Sequence, residues 1–175
     1  MNARFLRALL VASLFASAPI ASQPQPTASP DERLAFLVGC WQTANRATDG
    51  DQVTTSAGIA SYHWDLDNAW LLFESRIGGP GPGNYEVRGG VTTSAAGGYR
   101  AFAYNNIGYL IEYEGVWESD SRLVFNALRT APGQGSRVVY ERLAGGDIRL
   151  LSERQGPDGS FAAYFEAILH SGEMP

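Results

Sequence analysis

The sequence predicts an all-β domain: a single antiparallel meander β-barrel of eight to ten strands, with a short N-terminal helix closing one end. Three observations carry this. From Cys40 onward, short runs rich in Val, Ile, Thr, Tyr, Phe and Trp are separated by recurring turn chemistry. Within the runs polar and apolar side chains alternate, as on a strand with one face turned to a core. The runs also claim more of the chain than open sheets usually do, and closure makes that fraction normal because a barrel has no edges. A two-sheet sandwich fits the same periodicity and stays open as the second architecture.

The chain has 175 residues and a net charge of −5. Residues 1–22 read as an export signal. Arg4 and Arg7 form a positive start, residues 8–15 are apolar, and Ala16, Ser17 and Ala18 offer small cleavage-site residues, with the cut between 18 and 22. The expected compartment is therefore the periplasm or the medium of a bacterium. Removing the leader takes two arginines and no acid, so the net charge falls from −5 to −7. No basic run remains, which argues against nucleic acid and anionic membrane surfaces. No stretch has the length of apolar sequence that a spanning helix needs. One cysteine excludes an intrachain disulfide, so packing must supply the stability.

Residues 23–29 are Pro-rich and polar and read as a flexible tether, leaving 30–172 as the domain. Ser29-Pro30-Asp31-Glu32 combines an N-cap serine, a first-turn proline and a capping-box acid. It predicts a helix over 30–38 with Leu34, Leu37 and Val38 on one face and Gly39 ending it. Strands follow at 40–47, 52–64, 69–77, 84–93, 98–106, 108–118, 121–130, 136–144, 147–155 and 160–170. Asp49-Gly50, Asp65-Leu66-Asp67-Asn68 and Pro157-Asp158-Gly159 are typical of the turns between them. The stretch 78–83 (GGPGPG) cannot hold regular structure and reads as a loop edging one mouth. Alternation puts Tyr109, Ile111, Tyr113, Gly115 and Trp117 on one face of their strand and Glu112 and Glu114 on the other. It likewise groups Phe161, Ala163, Phe165, Ala167 and Leu169.

A short helix followed by Gly39-Cys40-Trp41 resembles the opening of lipocalin-like (calycin) barrels. That resemblance implies that Trp41 closes the barrel floor with Gly39, beside a basic side chain from the last strand. His170 is the candidate by order, and Arg154 could substitute. Leu37-Val38-Gly39-Cys40-Trp41, Trp70-Leu71-Leu72-Phe73-Glu74, Phe102-Ala103-Tyr104-Asn105-Asn106, Glu114-Gly115-Val116-Trp117 and Gly156-Pro157-Asp158-Gly159-Ser160 resemble, in order, the bacterial domain-of-unknown-function 1579 family. The resemblance implies a central cavity and no particular activity. More distantly the chain is similar to nitrobindins, ten-strand haem barrels with a late-strand histidine ligand.

The reactive residues are sparse. Two His and one Cys lack metal-ligand spacing, and no nucleophile elbow is present. Neither a metal nor a cofactor is expected; haem on His170 is the alternative that the nitrobindin resemblance supplies. An envelope enzyme acting on a hydrophobic substrate would use His63, or Glu112 and Glu114 as paired carboxylates. The leading expectation is a barrel that binds a small apolar or aromatic molecule. Trp70, Tyr104, Tyr113 and Trp117 would pack on it, with Arg100 or Asn106 orienting a polar end.

Overall fold

The computed structural model describes residues 31–78, 84–130 and 134–172. The expected leader over 1–22 and tether over 23–29 lie outside the described residues, as do residues 79–83 of the glycine-proline loop. Ten strands form one closed antiparallel barrel in which each strand pairs with its neighbours in sequence, and the last returns to pair with the first. They are β1 (Gly39–Asp49), β2 (Gln52–Asp65), β3 (Trp70–Ile77), β4 (Tyr85–Thr93) and β5 (Tyr99–Asn105). Then come β6 (Leu110–Ser119), β7 (Arg122–Ala127), β8 (Ser136–Arg142), β9 (Ile148–Gln155) and β10 (Phe161–Ser171). Each matches a strand expected from the sequence. The seam is as regular as the rest, with Trp41 opposite Ser171, Thr43 opposite Leu169 and Asn45 opposite Ala167.

Residues opposed across paired strands share a face, so register sorts the side chains. Leu71, Val91, Tyr99, Tyr113, Leu123, Phe125, Tyr140, Ile148 and Leu169 fill the interior and are almost fully buried. Outside, ion pairs link neighbouring strands. Arg122 bridges Glu118 and Glu141, and Arg149 bridges Glu141 and Glu166. These long side chains surround a small outer apolar cluster of Val124, Val139 and Leu151, which their aliphatic stems shield from water.

Two expectations are corrected here. The helix over 30–38 is a turn followed by a three-residue 3-10 segment, Ala35–Leu37, closed by bonds from Leu34 N to Asp31 O and from Leu37 N to Leu34 O. Two turns of helix cannot repay nucleation by themselves. The tighter 3-10 winding instead eclipses positions three apart, which aims Leu34 and Leu37 together into the barrel. Asp31 Oδ1 accepts from Arg33 N at 2.9 Å in the turn before the segment, and the expected cap, Ser29, lies outside the described residues. In β10, a bulge between Ala163 and Phe165 flips the parity. Phe161 and Ala163 therefore lie outside, and only Phe165, Ala167 and Leu169 point in.

Candidate functional site

One end of the barrel is sealed. Leu34 and Leu37, each 1% exposed, plug it and contribute about 2 kcal/mol apiece by burial. Trp41 Nε1 donates to Leu37 O at 2.8 Å, holding the 3-10 segment against β1. Trp117 Nε1 donates to Tyr99 Oη at 3.0 Å, and Tyr99 Oη donates to Asp31 Oδ2 at 2.9 Å, so β5 and β6 hold its start. Phe36 packs on Trp117 with ring centres 5.7 Å apart. The guanidinium of Arg33 sits 4.6 Å from the Trp117 ring centre, and that of Arg142 sits 4.2 Å from Phe36.

The floor thus has its tryptophan and its cations, but not in the expected pairing. Trp41 and Gly39 are at the floor. His170 is not: Leu169 takes the inward position, and His170 faces out opposite Gln42, with Nδ1 2.9 Å from Asp147 Oδ2. Arg154 lies at the opposite end, over Tyr164 at 4.3 Å. The basic side chains come from Arg33 and Arg142 and stack on Trp117 and Phe36.

Midway up, aromatic rings cross the lumen. Tyr62 stacks on Phe73 at 5.7 Å and meets Tyr140 edge-on at 6.4 Å; Tyr140 meets Phe125 at 6.1 Å. The Tyr62 and Tyr140 hydroxyls are 3.4 Å apart. Burial among rings makes the phenolate costly. It pushes Tyr62 up to about 12, against a partial lowering by the Tyr140 hydrogen bond, and raises Tyr140 and Tyr113 further. These tyrosines are neutral hydroxyls at every physiological pH.

Above that layer small inward positions alternate with larger ones such as Val87, Ile111, Val138 and Phe165. Gly58, Ser75, Gly89, Ala101, Ala103, Ala127, Ser152 and Ala167 point in by register. Phe73, Ala101, Ala103, Ile111, Ala127, Val138 and Phe165 pack against the core yet stay only half-buried. Inward residues of a fully filled barrel would be sealed from solvent; these are not, so the half opposite the floor is a cup open to water. On its wall Thr43 and Asn45 are 6% and 5% exposed. Among the described residues, Thr43 Oγ1 and both amide atoms of Asn45 have no hydrogen-bond partner. Beside the rim, Tyr104, Ile107, Tyr109 and Leu110 form an exposed apolar strip across the β5–β6 hairpin.

Of the six residues expected to contact a ligand, the structure turns two inward. Tyr113 lies between the aromatic layer and the cup, and Trp117 is at the floor, occupied with Tyr99 and the two arginines. Trp70 is outside, 5.6 Å from Phe102, and Tyr104 is outside, stacked on Phe102 at 6.5 Å. Arg100 is outside, paired with Glu114 at 3.3 Å. Asn106 is in the β5–β6 turn, donating to Asn84 O at 2.6 Å. Tyr109 precedes β6 and is 63% exposed. Thr43 and Asn45 were not anticipated, although they follow Trp41 at the inward period of two.

The residues considered for catalysis lie on the outer wall. His63 is opposite Leu72 and exposed, Glu112 pairs with Arg129, and Glu114 pairs with Arg100. Among the described residues no group of three His, Cys, Asp or Glu comes together as metal ligands, and no helix is long and apolar enough to cross a membrane. Two shallow depressions, of about 380 and 770 Å³, lie over the outer faces of β1 and β2. The first is lined by Gln42, Ala44, Ala57 and His170 and also reaches Thr43 and Ser56, and the second by Ile59, Arg76, Asn84 and Glu86 and also reaches Ser56 and Gly58.

No protein-family model matches the chain, and no curated protein matches it. Among solved structures it is similar to Rv2717c from M. tuberculosis, with a TM-score of 0.58 and 9% identity, over 83% of this chain and 100% of that one. A redesigned beta barrel aligns over the same shares with a TM-score of 0.40 and 16% identity. The likeness to Rv2717c is one of fold: a closed antiparallel barrel.

Proposed function

We propose that this protein is an exported carrier or sensor barrel that binds a small apolar or aromatic molecule in the cup between the aromatic layer and the rim. The observation that carries the reading is the run of inward alanines, Ala101, Ala103 and Ala127, which pack against the core and remain accessible to water. Small residues above an aromatic floor give a concave, mostly apolar site with few polar groups, the usual chemistry of small-molecule pockets. Among the described residues, the inner face offers no carboxylate or histidine above the floor until the rim, which favours binding over acid–base chemistry. Export rests on residues 1–22; the mature protein is expected to begin between residues 19 and 23, and an intact Met1 on protein recovered from the envelope would contradict it.

The neutral dye N-phenyl-1-naphthylamine tests the reading. Its fluorescence is expected to rise on binding to the folded protein. Ala127→Phe, which fills the cup, is expected to weaken binding by roughly tenfold or more without lowering the far-ultraviolet strand signal, since a buried apolar contact of that size is worth over 1 kcal/mol. Absence of any enhancement, or equal binding by Ala127→Phe, would sink the proposal.

A further inference from the structure

The cup wall holds three polar atoms that the fold leaves unpaired. Thr43 and Asn45 are more than nine-tenths buried and stand on consecutive inward positions of β1. Thr43 Oγ1, Asn45 Oδ1 and Asn45 Nδ2 have no hydrogen-bond partner among the described residues. Across the β1–β2 ladder Thr43 faces Gly58 and Asn45 faces Ser56, whose hydroxyl makes no hydrogen bond to it; across the seam they face Leu169 and Ala167. A methyl group built on Gly58 would sit 2.4 Å from the Arg76 carbonyl oxygen, 2.7 Å from Thr43 Oγ1 and 3.1 Å from Asn45 Nδ2, so glycine admits the β3 backbone and both side chains over β2. Desolvating a donor or acceptor without a partner destabilises a fold, and three such atoms side by side are unusual when most buried polar groups are paired.

The geometry points to Thr43 and Asn45 as the polar subsite of the cup, recognising an uncharged ligand head that carries a hydrogen-bond donor and acceptor side by side, as in a carboxamide or an undissociated carboxylic acid. This rests on the cup being the binding site. The amide oxygen accepts from the head, and the amide N–H donates to it. The Thr43 hydroxyl serves either sense. The broad χ2 preference of asparagine lets the amide turn from Gly58 toward the lumen. Charge argues for a neutral head. Among the described residues, no inward position carries a charged side chain between Arg142 at the floor and Asp49 and Arg154 at the rim. An ionised head at Asn45 would be buried without a counter-charge.

Two measurements on the mature protein decide the matter. Asn45→Leu and Thr43→Val keep the branching and heavy-atom count of each side chain and remove the unpaired atoms. Both are expected to melt at a higher temperature than the parent in the absence of any added compound, because the parent is destabilised for the sake of recognition. A lower melting temperature for both would show that these atoms have structural partners and would overturn the inference. Binding is then compared for 2-naphthamide and naphthalene, which share the ring and differ in the head. The parent is expected to prefer 2-naphthamide by about tenfold, the worth of one to two hydrogen bonds, and Asn45→Leu to lose that preference while holding naphthalene. Equal binding of the two compounds by the parent, or a preference that survives in both variants, overturns the inference and leaves the cup as a purely apolar site. Binding of neither compound by the parent overturns both this inference and the proposed function.

Discussion

Between pH 10 and pH 12 the protein is expected to lose stability steeply and to unfold before its interior tyrosines ionise. Tyr62 is 4% exposed and its hydroxyl is held up to about 12 by burial, against an ordinary value of 10. In that window the unfolded chain has released a proton that the folded chain still holds, so rising pH favours unfolding. The contribution is fully present below pH 10 and is gone once pH passes the folded value. For Tyr62 alone it amounts to roughly 3 kcal/mol. Tyr140 and Tyr113 are raised further by the same cause and add to the effect. Absorbance at 295 nm, recorded with far-ultraviolet circular dichroism, checks this. Tyr62, Tyr113 and Tyr140 should ionise only together with loss of strand signal. Their reversible ionisation near pH 10 in a folded protein would contradict the aromatic layer.

Alanine in place of Gly89 is expected to cost about 3 kcal/mol and to lower the melting temperature by roughly 10 °C for a domain of this size. Gly89 lies on β4 and points inward. A methyl group there would come 2.1 Å from the carbonyl oxygen of Phe102 and 2.5 Å from Cζ of Phe73. The first neighbour is backbone of the adjacent strand, so the ladder between β4 and β5 would have to part. The second is the ring that Tyr62 stacks upon, so the aromatic layer would have to shift as well. Thermal melts of Gly89→Ala beside the parent provide the check. An unchanged midpoint would mean that β4 does not approach β5 and Phe73 as described.

How much of this was legible in the sequence differs between strands for a physical reason. The ten strands and their order follow from turn chemistry and from runs of β-branched and aromatic residues, and the observed bounds differ from the expected ones by only a few residues. Facing was harder. In β6 the Glu112 and Glu114 face is unmistakable, and Tyr113, Gly115 and Trp117 point in as alternation demands. In β3 and β5 the large aromatics drew attention to the wrong side. Glu74 and Arg76 share parity with Trp70, and Arg100 shares parity with Tyr104, so the charges mark those faces as outer. Above Tyr99 the inner face of β5 is instead Ala101, Ala103 and Asn105, with no further aromatic. A barrel that keeps room inside places small side chains there and covers its outer wall with aromatics and ion pairs.

The floor and the polar subsite show two other limits. Trp41 and Gly39 sit where the calycin-like opening implied, but which cation reaches which ring depends on the 3-10 segment returning Arg33 over Trp117, a tertiary event that no spacing encodes. His170 fails as a floor residue through parity alone, since Leu169 beside it takes the inward place. Thr43 and Asn45 were within reach of the same parity argument starting from Trp41. They stayed unnoticed because Thr and Asn in a strand ordinarily find partners, and only the structure shows these without any.

Thiol accessibility tests most directly the proposed cup, a barrel filled at the floor and open above the aromatic layer. In a Cys40→Ala background, Ala127→Cys places a thiol on the wall of the cup and Leu123→Cys places one in the sealed floor, where the native leucine is fully buried. The account predicts that a small methanethiosulfonate reagent labels Ala127→Cys in the folded protein, that saturating N-phenyl-1-naphthylamine slows this labelling, and that Leu123→Cys stays unreactive until the protein unfolds. An Ala127→Cys thiol as inert as the floor thiol, or one labelled at the same rate with and without the dye, would contradict it.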